Sequence, residues 1–495
     1  MEKYLYGAAV QGIQSFIFQT NELQDIVGAS ELVEEICTSE FEKYAEDGDS
    51  ILRAAGNIKH IFNSKKECEK AVLDFPMKVM TAAPGITISQ AVVKMDDEST
   101  DFAEAVNELE RRLRMQRNCP MPSTTIGLMG VKRSAQTGLP LIKGDKGELL
   151  DAAKKAKQDH YERHALCQKA FGANVPSGKF PFNISDITSK NDWIAIIHAD
   201  GNGLGQVVQK VGKSPEAMKN FSASLDKATI AAAQEAWQRV SSSAHFGEAG
   251  GNSRYPLRPV VLGGDDLTVI CRADFAVEYA TAFMQAFEEQ TEAKLGNLLK
   301  EYNVFGTTAN RLTACAGIAF IKSSYPVYYG YELAEALCGE AKKSAKTLNP
   351  ILAPSCLMFH KVQDSFVESF DKIESRELTA GEVSFKYGPY YTNETDDQPT
   401  VAHLLDRVDL LATEVGNKIK SHLRQWLTAL IDSQEVAEQK AERVRSLLSD
   451  GGLKLLFDEA TTFKEGGEDK EGKAGMKTSA YDILALASVK HQVTK

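Results

Sequence analysis

The 495-residue chain has eight cysteines, at 37, 68, 119, 167, 271, 315, 338 and 356, and no two of them form a Cys-x-x-Cys pair. Paired-cysteine metal ribbons and small disulfide scaffolds are therefore excluded, and a reducing compartment is expected. No stretch approaches the roughly 18 uninterrupted apolar residues of a membrane-spanning helix. The start, Met1-Glu2-Lys3-Tyr4-Leu5-Tyr6, lacks the basic and long apolar regions of a secretory signal. A cytoplasmic protein with no membrane partner is the expectation. An excess of basic charge is missing too. Lys+Arg number 57 against Asp+Glu 68, a net charge of −11, so no overall field gathers nucleic acid, and any such contact must be local. With 43% hydrophobic and 25% charged residues, the composition is that of an ordinary globular protein and excludes disorder and collagen. The length exceeds one core, so about two to four domains are expected. No serine–histidine–aspartate order with a nucleophile elbow is present.

What the chain does contain is clearest from Asp192 onward. Trp193-Ile194-Ala195-Ile196-Ile197 is a continuous apolar run of strand length, as in a strand covered on both faces, and it ends at Asp200. Ser214-Pro215 reads as an N-cap with proline at the first helical position, opening a helix to about Val240. Val260-Val261-Leu262 and Leu267-Thr268-Val269-Ile270 flank Gly263-Gly264-Asp265-Asp266, a hairpin. A helix from Asp274 to Tyr302, a strand from Leu312 to Phe320 and a helix from Tyr331 to Lys346 follow. The order is β-α-β-β-α-β, the split ferredoxin-like unit.

The amino-terminal region repeats that order: strand Tyr4–Val10, helix Glu22–Tyr44, hairpin Ile51–Phe62, helix Lys65–Met80 and strand Ile86–Met95. At the equivalent turn it carries Ala55-Gly56-Asn57, and after its first strand Gln11-Gly12-Ile13-Gln14-Ser15, with no carboxylate at either place. Residues 119–190 read as a connector containing a helix from Glu148 to Phe171. Beyond Pro350, helical periodicity dominates in Leu404–Asp432 and Glu435–Leu448, and Thr461–Lys477 reads as a mobile Gly/Lys/Glu-rich loop.

Asp200 at a strand end and Asp265 and Asp266 in the neighbouring hairpin can converge. Crowded carboxylates need cations, and Mg²⁺ or Mn²⁺ held by one or two of them with substrate phosphates suits phosphoryl or nucleotidyl transfer. Gly263 and Gly264 are expected to supply positive φ angles and to let a nucleotide approach the backbone. Asp200-Gly201-Asn202-Gly203-Leu204-Gly205 offers bare amides for a triphosphate, although it fits neither Walker nor Rossmann spacing. The less specific reading of Gly-Gly-Asp-Asp, an ordinary hairpin turn, loses ground because the acidic strand end sits in the same unit.

On these residues the stretch 192–346 resembles the second palm domain of the large polymerase-like subunit of type III CRISPR effector complexes. The amino-terminal half resembles the first palm of that subunit in Gln11-Gly12-Ile13-Gln14-Ser15-Phe16-Ile17 and in its non-acidic turn, and Ser365 onward resembles its helical carboxyl-terminal region. The resemblance implies an α+β fold with two ferredoxin-like palm domains, the second catalytic and the first degenerate. The expected boundaries are 1–118 for the first palm, 119–190 for a connector, 191–350 for the second palm and 351–495 for a mainly helical carboxyl-terminal domain.

The resemblance further implies a nucleotidyltransferase that condenses ATP into a cyclic oligonucleotide messenger of antiviral defence. Its metal ligands carry over onto Asp200 and Asp265, with Asp266 completing the turn motif. Asn202 stands where the family has a second acidic residue, so the Gly201 carbonyl is expected to take that ligand's part. Nucleotide contacts are expected from Gly201, Asn202, Gly203, Leu204, Gly263, Gly264 and Lys342, and from Gln14 and Ser15 on the acceptor side. The amino-terminal nuclease domain and paired-cysteine zinc module of many relatives are not found in the sequence, and DNA cleavage is not expected. This reduced architecture favours stand-alone action. Membership in an assembly with guide or target RNA and further CRISPR subunits is the alternative. A GTP-using cyclic-dinucleotide synthase and a non-catalytic nucleotide-sensing scaffold are the functional alternatives.

Other candidates weigh less. His160, His164 and Cys167 would share one face of the expected helix, with Cys119 a fourth zinc ligand, but solvated imidazoles are the commoner outcome. His198, two residues before Asp200, is expected to be a packed core histidine. The basic stretches Lys418, Lys420, Arg424 and Lys440, Arg443, Arg445 are interspersed with acids and read as solvated faces.

Overall fold

Seven consecutive residues of the first strand, β1 (Lys3–Gln11), are buried. It is followed by α1 (Ile13–Ile17), α2 (Leu23–Glu35), β2 (Asp49–Ala54), β3 (Asn57–Phe62), α3 (Lys65–Ala82), β4 (Thr87–Met95) and α4 (Phe102–Arg117). The computed structural model describes residues 2–54, 56–95, 101–119, 130–145, 147–162, 164–189, 192–242, 254–306, 309–364, 369–395, 397–414, 416–468 and 474–490. The first sheet has the order β2-β3-β1-β4, with β1 antiparallel to both neighbours. Ala55 of the non-acidic turn lies outside the described residues; Gly56 there has φ +81°, and its carbonyl accepts from the Val10 amide at 2.8 Å.

Between the two units run β5 (Leu141–Lys143), β6 (Leu149–Asp151), α5 (Ala152–Gln158), α6 (Ala165–Phe171) and α7 (Ile184–Ile187). The single helix expected over Glu148–Phe171 is therefore replaced by a strand and two short helices. The Asp151 side chain caps α5 by accepting from the Lys154 amide at 2.8 Å. The α6 helix starts afresh at His164, whose φ is +57°, and the Glu31 carboxylate of α2 accepts from the Ala165 and Leu166 amides. A buried acid from another element thus fixes a helix start that the local sequence does not announce.

The second unit comprises β7 (Trp193–Gly201), α8 (Leu204–Val211), α9 (Pro215–Ser241), β8 (Leu257–Gly263), β9 (Asp266–Arg272), α10 (Ala276–Glu301), β10 (Ala314–Lys322), α11 (Val327–Leu348) and β11 (Cys356–Lys361). The Ser214 side chain caps α9 ahead of Pro215. The strands run β8-β9-β7-β10, the same second-third-first-fourth order as in the first sheet, which bears out two related ferredoxin-like units. Two features were not anticipated: the short helix α8 straight after the acidic strand end, and β11, which pairs parallel to β10 through the crossover helix α11.

The tail holds α12 (Phe370–Glu377), β12 (Thr379–Ala380), β13 (Val383–Ser384), β14 (Tyr390–Tyr391), α13 (Val401–Ala412), α14 (Gly416–Asp432), α15 (Gln434–Leu447), α16 (Gly451–Thr461), β15 (Lys464–Glu468), β16 (Ala474–Lys477) and α17 (Ala480–Lys490). It is mainly helical, as expected, but β14 extends the second sheet by pairing with β11. Of the stretch 461–477, expected to be a mobile loop, Lys464–Glu468 and Ala474–Lys477 instead supply two strands of a sheet ordered β12-β13-β16-β15, because β16 finds a parallel partner in β13, while 469–473 lie outside the described residues. Among the described residues, no helix is long and apolar enough to cross a membrane.

Candidate active site

Strand alternation puts Ile196, His198 and Asp200 on one face of β7, and the cross-strand partners Gly317 and Cys315 of β10 stand beside His198 and Asp200 on that face. Helix α11 covers this face at very close range. A Cβ at Gly317 would lie 1.9 Å from the Ala334 carbonyl oxygen, and one at Gly330 would lie 2.6 Å from Ile196 Cδ1. The helix carries Tyr331, Glu335, Cys338 and Lys342 at spacings of one, two and three turns, so one stripe of α11 runs along the acidic end of the strand.

The hairpin between β8 and β9 brings the remaining carboxylates. Gly263 and Asp266 are register partners, and Gly264 has φ +63°, while Gly263 and Asp265 do not have positive φ. Positive φ at the first central residue only is the requirement of a type II′ turn, so Gly264 alone meets the conformational demand expected of both glycines. Thr229 of α9 pins the turn by donating from Oγ1 to the Gly264 carbonyl at 2.6 Å. One ligand oxygen from each of Asp200, Asp265 and Asp266 lies within 4.8 Å of the others, the one such group of three or more metal-binding side chains among the described residues.

Gly201 makes that approach possible: a Cβ there would stand 2.9 Å from Asp265 Cβ and 3.0 Å from its Oδ2. The zinc set suggested for the connector is not assembled, because the helix is broken. His160 pairs with Glu35 at 3.1 Å, His164 packs on Phe180 and Phe182, and Cys167 is buried.

Three half-buried carboxylates this close cannot all stay ionised. Burial and a hydrogen bond to Asp200 push the Asp265 carboxyl well up, and burial with the Asp200 charge pushes Asp266 up as well. Asp200 keeps its charge: burial opposes ionisation, but hydrogen bonding from Asp265 and the Lys342 ammonium hold it below the usual carboxylate range. Lys342 Nζ donates to Asp200 Oδ2 and, at 2.8 Å, to the Gly201 carbonyl oxygen. A site that must hold protons and a lysine to neutralise its acids suits a divalent cation with oxygen ligands.

The other residues named from the sequence are found on the elements that flank this cluster. Gly203, with φ +75°, and Leu204 open α8, whose first amides have no acceptor within the helix. Gly205 lies inside that helix and is exposed. Asn202 is buried: its side-chain amide donates to Thr313 Oγ1 at 3.1 Å and to Cys315 Sγ at 3.3 Å, and its Oδ1 has no hydrogen-bond partner among the described residues. His198 bonds Thr268 Oγ1 at 3.1 Å and packs edge-on against Tyr331, and burial pushes its pKa down to about 4, so it is the neutral core histidine expected.

Beside Asp266 opens a cavity of about 350 Å³, lined from the first unit by Gly12, Gln14 and Ser15 and from the second by His198, Gly263 and Tyr331, among others. That volume lies within the range of small-ligand sites. Gln14 Nε2 donates to the Tyr331 hydroxyl at 2.6 Å, Phe18 stacks on the Tyr331 ring at 4.3 Å, and Asn21 Oδ1 accepts from the Val327 amide at the start of α11. Tyr331, Thr229 and Asn21 were not singled out in the sequence; the spacing of eleven residues between Tyr331 and Lys342 was the available signal for the first. A larger cleft of about 870 Å³ in the tail, lined by His403, Arg407, Glu459 and Lys464, contains none of the three carboxylates.

Residues 193–351 match the family model of the Cas10/Cmr2 second palm domain. Across the whole chain the fold is similar to that of Csm1 in Csm1–Csm4 cassettes. The cassette in complex with cA4 aligns with a TM-score of 0.56 and 13% identity, covering 99% of this chain and 70% of that one. The cassette with pppApA gives 0.55 and 13%, covering 99% and 69%. The Csm1–Csm4 subcomplex of the type III-A CRISPR-Csm interference complex gives 0.54 and 12%, covering 100% and 70%. At such identities the likeness is one of fold. No curated protein matches the sequence. The resemblance read from the sequence holds for the second palm and for the fold: residues 193–351 match the Cas10/Cmr2 second palm domain, a nucleotidyl-cyclase-like fold, and the chain as a whole shares the fold of Csm1.

Proposed function

We propose that the protein is a metal-dependent nucleotidyltransferase that condenses ATP into a cyclic oligonucleotide, with the second palm as the catalytic one. The observation that carries this reading is the convergence of Asp200, Asp265 and Asp266 at a strand end that opens on a cavity shared by both palms. Asp200, Asp265 and the Gly201 carbonyl would hold Mg²⁺ or Mn²⁺. Such an ion supplies activation of a ribose 3′-hydroxyl and neutralisation of phosphate charge.

The chain's own residues do the rest. The amides opening α8 at Gly203 and Leu204 and the Gly263–Gly264 backbone receive phosphate oxygens, and Lys342 adds a positive charge beside them. Gln14 and Ser15 on the first palm, facing Tyr331, orient the acceptor nucleotide so that its hydroxyl meets the α-phosphate in line and pyrophosphate leaves. His198 is neutral and buried against Thr268, and takes no part in proton transfer.

The similar cassettes were crystallised with cA4, pppApA and AMPPNP, which favours adenosine nucleotides for this chain. They are two-subunit assemblies, which favours the assembled alternative over stand-alone action. The test is to incubate the full chain with each nucleoside triphosphate and Mg²⁺ or Mn²⁺ and to identify products by mass spectrometry. ATP consumption with pyrophosphate release and 3′,5′-linked cyclic products is expected, lost in Asp265→Ala. Orthophosphate release would show an ATPase. A product from GTP alone would show a cyclic-dinucleotide synthase, and tight triphosphate binding without turnover, alone and with native partner subunits, would show a scaffold.

A further inference from the structure

The Lys342 ammonium sits on two oxygens, Asp200 Oδ2 and the Gly201 carbonyl. Asp200 and the Gly201 carbonyl are also groups that hold the divalent ion in the reading above. The helix that delivers the ammonium cannot draw back or slide freely, because α11 is locked to the sheet through the bare backbone of Gly317 and Gly330 and is bonded to the first palm through Tyr331 and Val327. Only the torsions of the lysine's own stem can move the charge. Facing it are Asp200 from β7 and Asp265 from the hairpin turn, with Cys338 one turn back on α11. The side chain is 19% exposed, so the ammonium's partners come from the protein more than from water.

We infer that Lys342 is a resident counter-ion that occupies a cation position of the acidic site until a triphosphate draws it away, so that metal and nucleotide enter together. The inference rests on the metal-site reading proposed above. While Lys342 bridges Asp200 and Gly201, a free divalent ion must displace the ammonium from both oxygens, and the other acids within its reach, Asp265 and Asp266, belong to the same cluster the ion would enter, so the two cations compete for one set of carboxylates. An arriving triphosphate changes this balance. Its oxygens accept the ammonium, whose flexible four-carbon stem lets it swing without backbone motion, and the two oxygens it leaves become free for the ion. The same lysine would thus serve in turn as a stand-in for metal and as a phosphate ligand. Asn202 fits this arrangement: as a neutral amide it adds no negative charge to hold a free ion against the lysine.

The test is Mn²⁺ binding to the full chain at pH 8, followed by electron paramagnetic resonance without nucleotide, in wild type, Lys342→Met and Lys343→Met. Lys343 is an exposed neighbour paired with Glu340, and its replacement removes the same net charge outside the site. Lys342→Met is expected to bind Mn²⁺ at least tenfold more tightly than wild type and to bind AMPPNP at least tenfold more weakly, with Lys343→Met within twofold of wild type in both. A lysine that only binds phosphate would alter nucleotide affinity alone, and a merely structural one would move neither. Mn²⁺ affinity in Lys342→Met equal to or below wild type, in a variant of unchanged melting temperature, overturns the proposal; Lys342→Gln repeats the measurement if the methionine variant does not fold. Asp265→Asn in the Lys342→Met background separates the two readings. If it leaves Mn²⁺ bound, the metal-site assignment fails; if it abolishes binding, that assignment stands whatever Lys342 does.

Discussion

Replacing Gly201 by alanine puts a methyl group into the gap across which the strand end and the acidic turn face one another. The new Cβ would lie 2.7 Å from Leu204 Cδ1, 2.9 Å from Asp265 Cβ and 3.0 Å from Asp265 Oδ2. Carbon atoms rest about 3.5–4.0 Å apart, so the turn must retreat by roughly 0.5–1 Å. Leu204 can yield by changing rotamer. Asp265 cannot, because its Cβ moves only with the turn backbone, which Thr229 holds through the Gly264 carbonyl.

Overpacking of this kind costs about 1–3 kcal/mol. For a unit of this size, each kcal/mol corresponds to roughly 2–4 °C, so a fall in melting temperature of about 2–12 °C is expected. A misplacement near 1 Å at reacting groups costs about a hundredfold in rate, and product formation should drop by roughly ten- to a hundredfold, with weaker Mn²⁺ binding. Two neighbours calibrate the result. Gly203, with φ +75° and open space around it, should lose only about 1–2 kcal/mol to backbone strain as alanine. Gly205, exposed in α8 with nothing near its absent Cβ, should be neutral or gain up to about 1 kcal/mol. Melting curves, Mn²⁺ titration and product yield measured together decide the matter. A Gly201→Ala protein that behaves like Gly205→Ala would mean that the turn is not held against the strand and that the site geometry is wrong.

Asp265→Asn should raise the melting temperature of the metal-free protein at pH 8. The folded carboxyl titrates near 8 and the unfolded one near its ordinary value of 3.8, so the unfolded chain ionises first and wild-type stability is lost as pH rises between them. The gain in the variant should shrink toward pH 4, and a gain that grows on acidification would contradict the assignment. Tyr331→Phe removes the Gln14–Tyr331 hydrogen bond between the palms, worth about 0.5–1.5 kcal/mol, and Gln14→Ala removes that bond and a long one of 3.5 Å to Glu335, so each should raise the KM for ATP roughly 2- to 10-fold. The double variant should add little, and full additivity would show that the two side chains act separately. His198→Gln should leave the pH–rate profile between 6 and 8 unchanged, because burial keeps the imidazole neutral down to about pH 4. Loss of a limb from that profile would restore a proton-transfer role.

The parts of this protein that short-range patterns encode were legible without coordinates. Trp193 to Ile197 reads as a central strand because both its faces are covered by neighbours, and Gly263 to Asp266 reads as a tight turn because few residues accept that geometry. The repeat of one element order in both halves gave the paired ferredoxin-like units, and the acids at the strand end and turn gave the candidate site. What stayed hidden depends on partners far away in the chain. Cys356–Lys361 is a strand because β10 offers it a parallel edge, and Ala474–Lys477 is a strand because β13 lies beside it. The helix expected over 148–171 breaks because Glu31, more than a hundred residues earlier, caps its second half. In the site, tertiary packing alone decided that Gly264 rather than Gly263 takes the positive φ, that the Asn202 amide bonds Thr313 and Cys315, that Tyr331 joins the palms, and that Lys342 rests on Asp200. Periodicity and turn chemistry constrain a residue through its near neighbours in sequence, whereas these four outcomes were set by which distant backbone or charge came within hydrogen-bonding or van der Waals range after the sheets had packed.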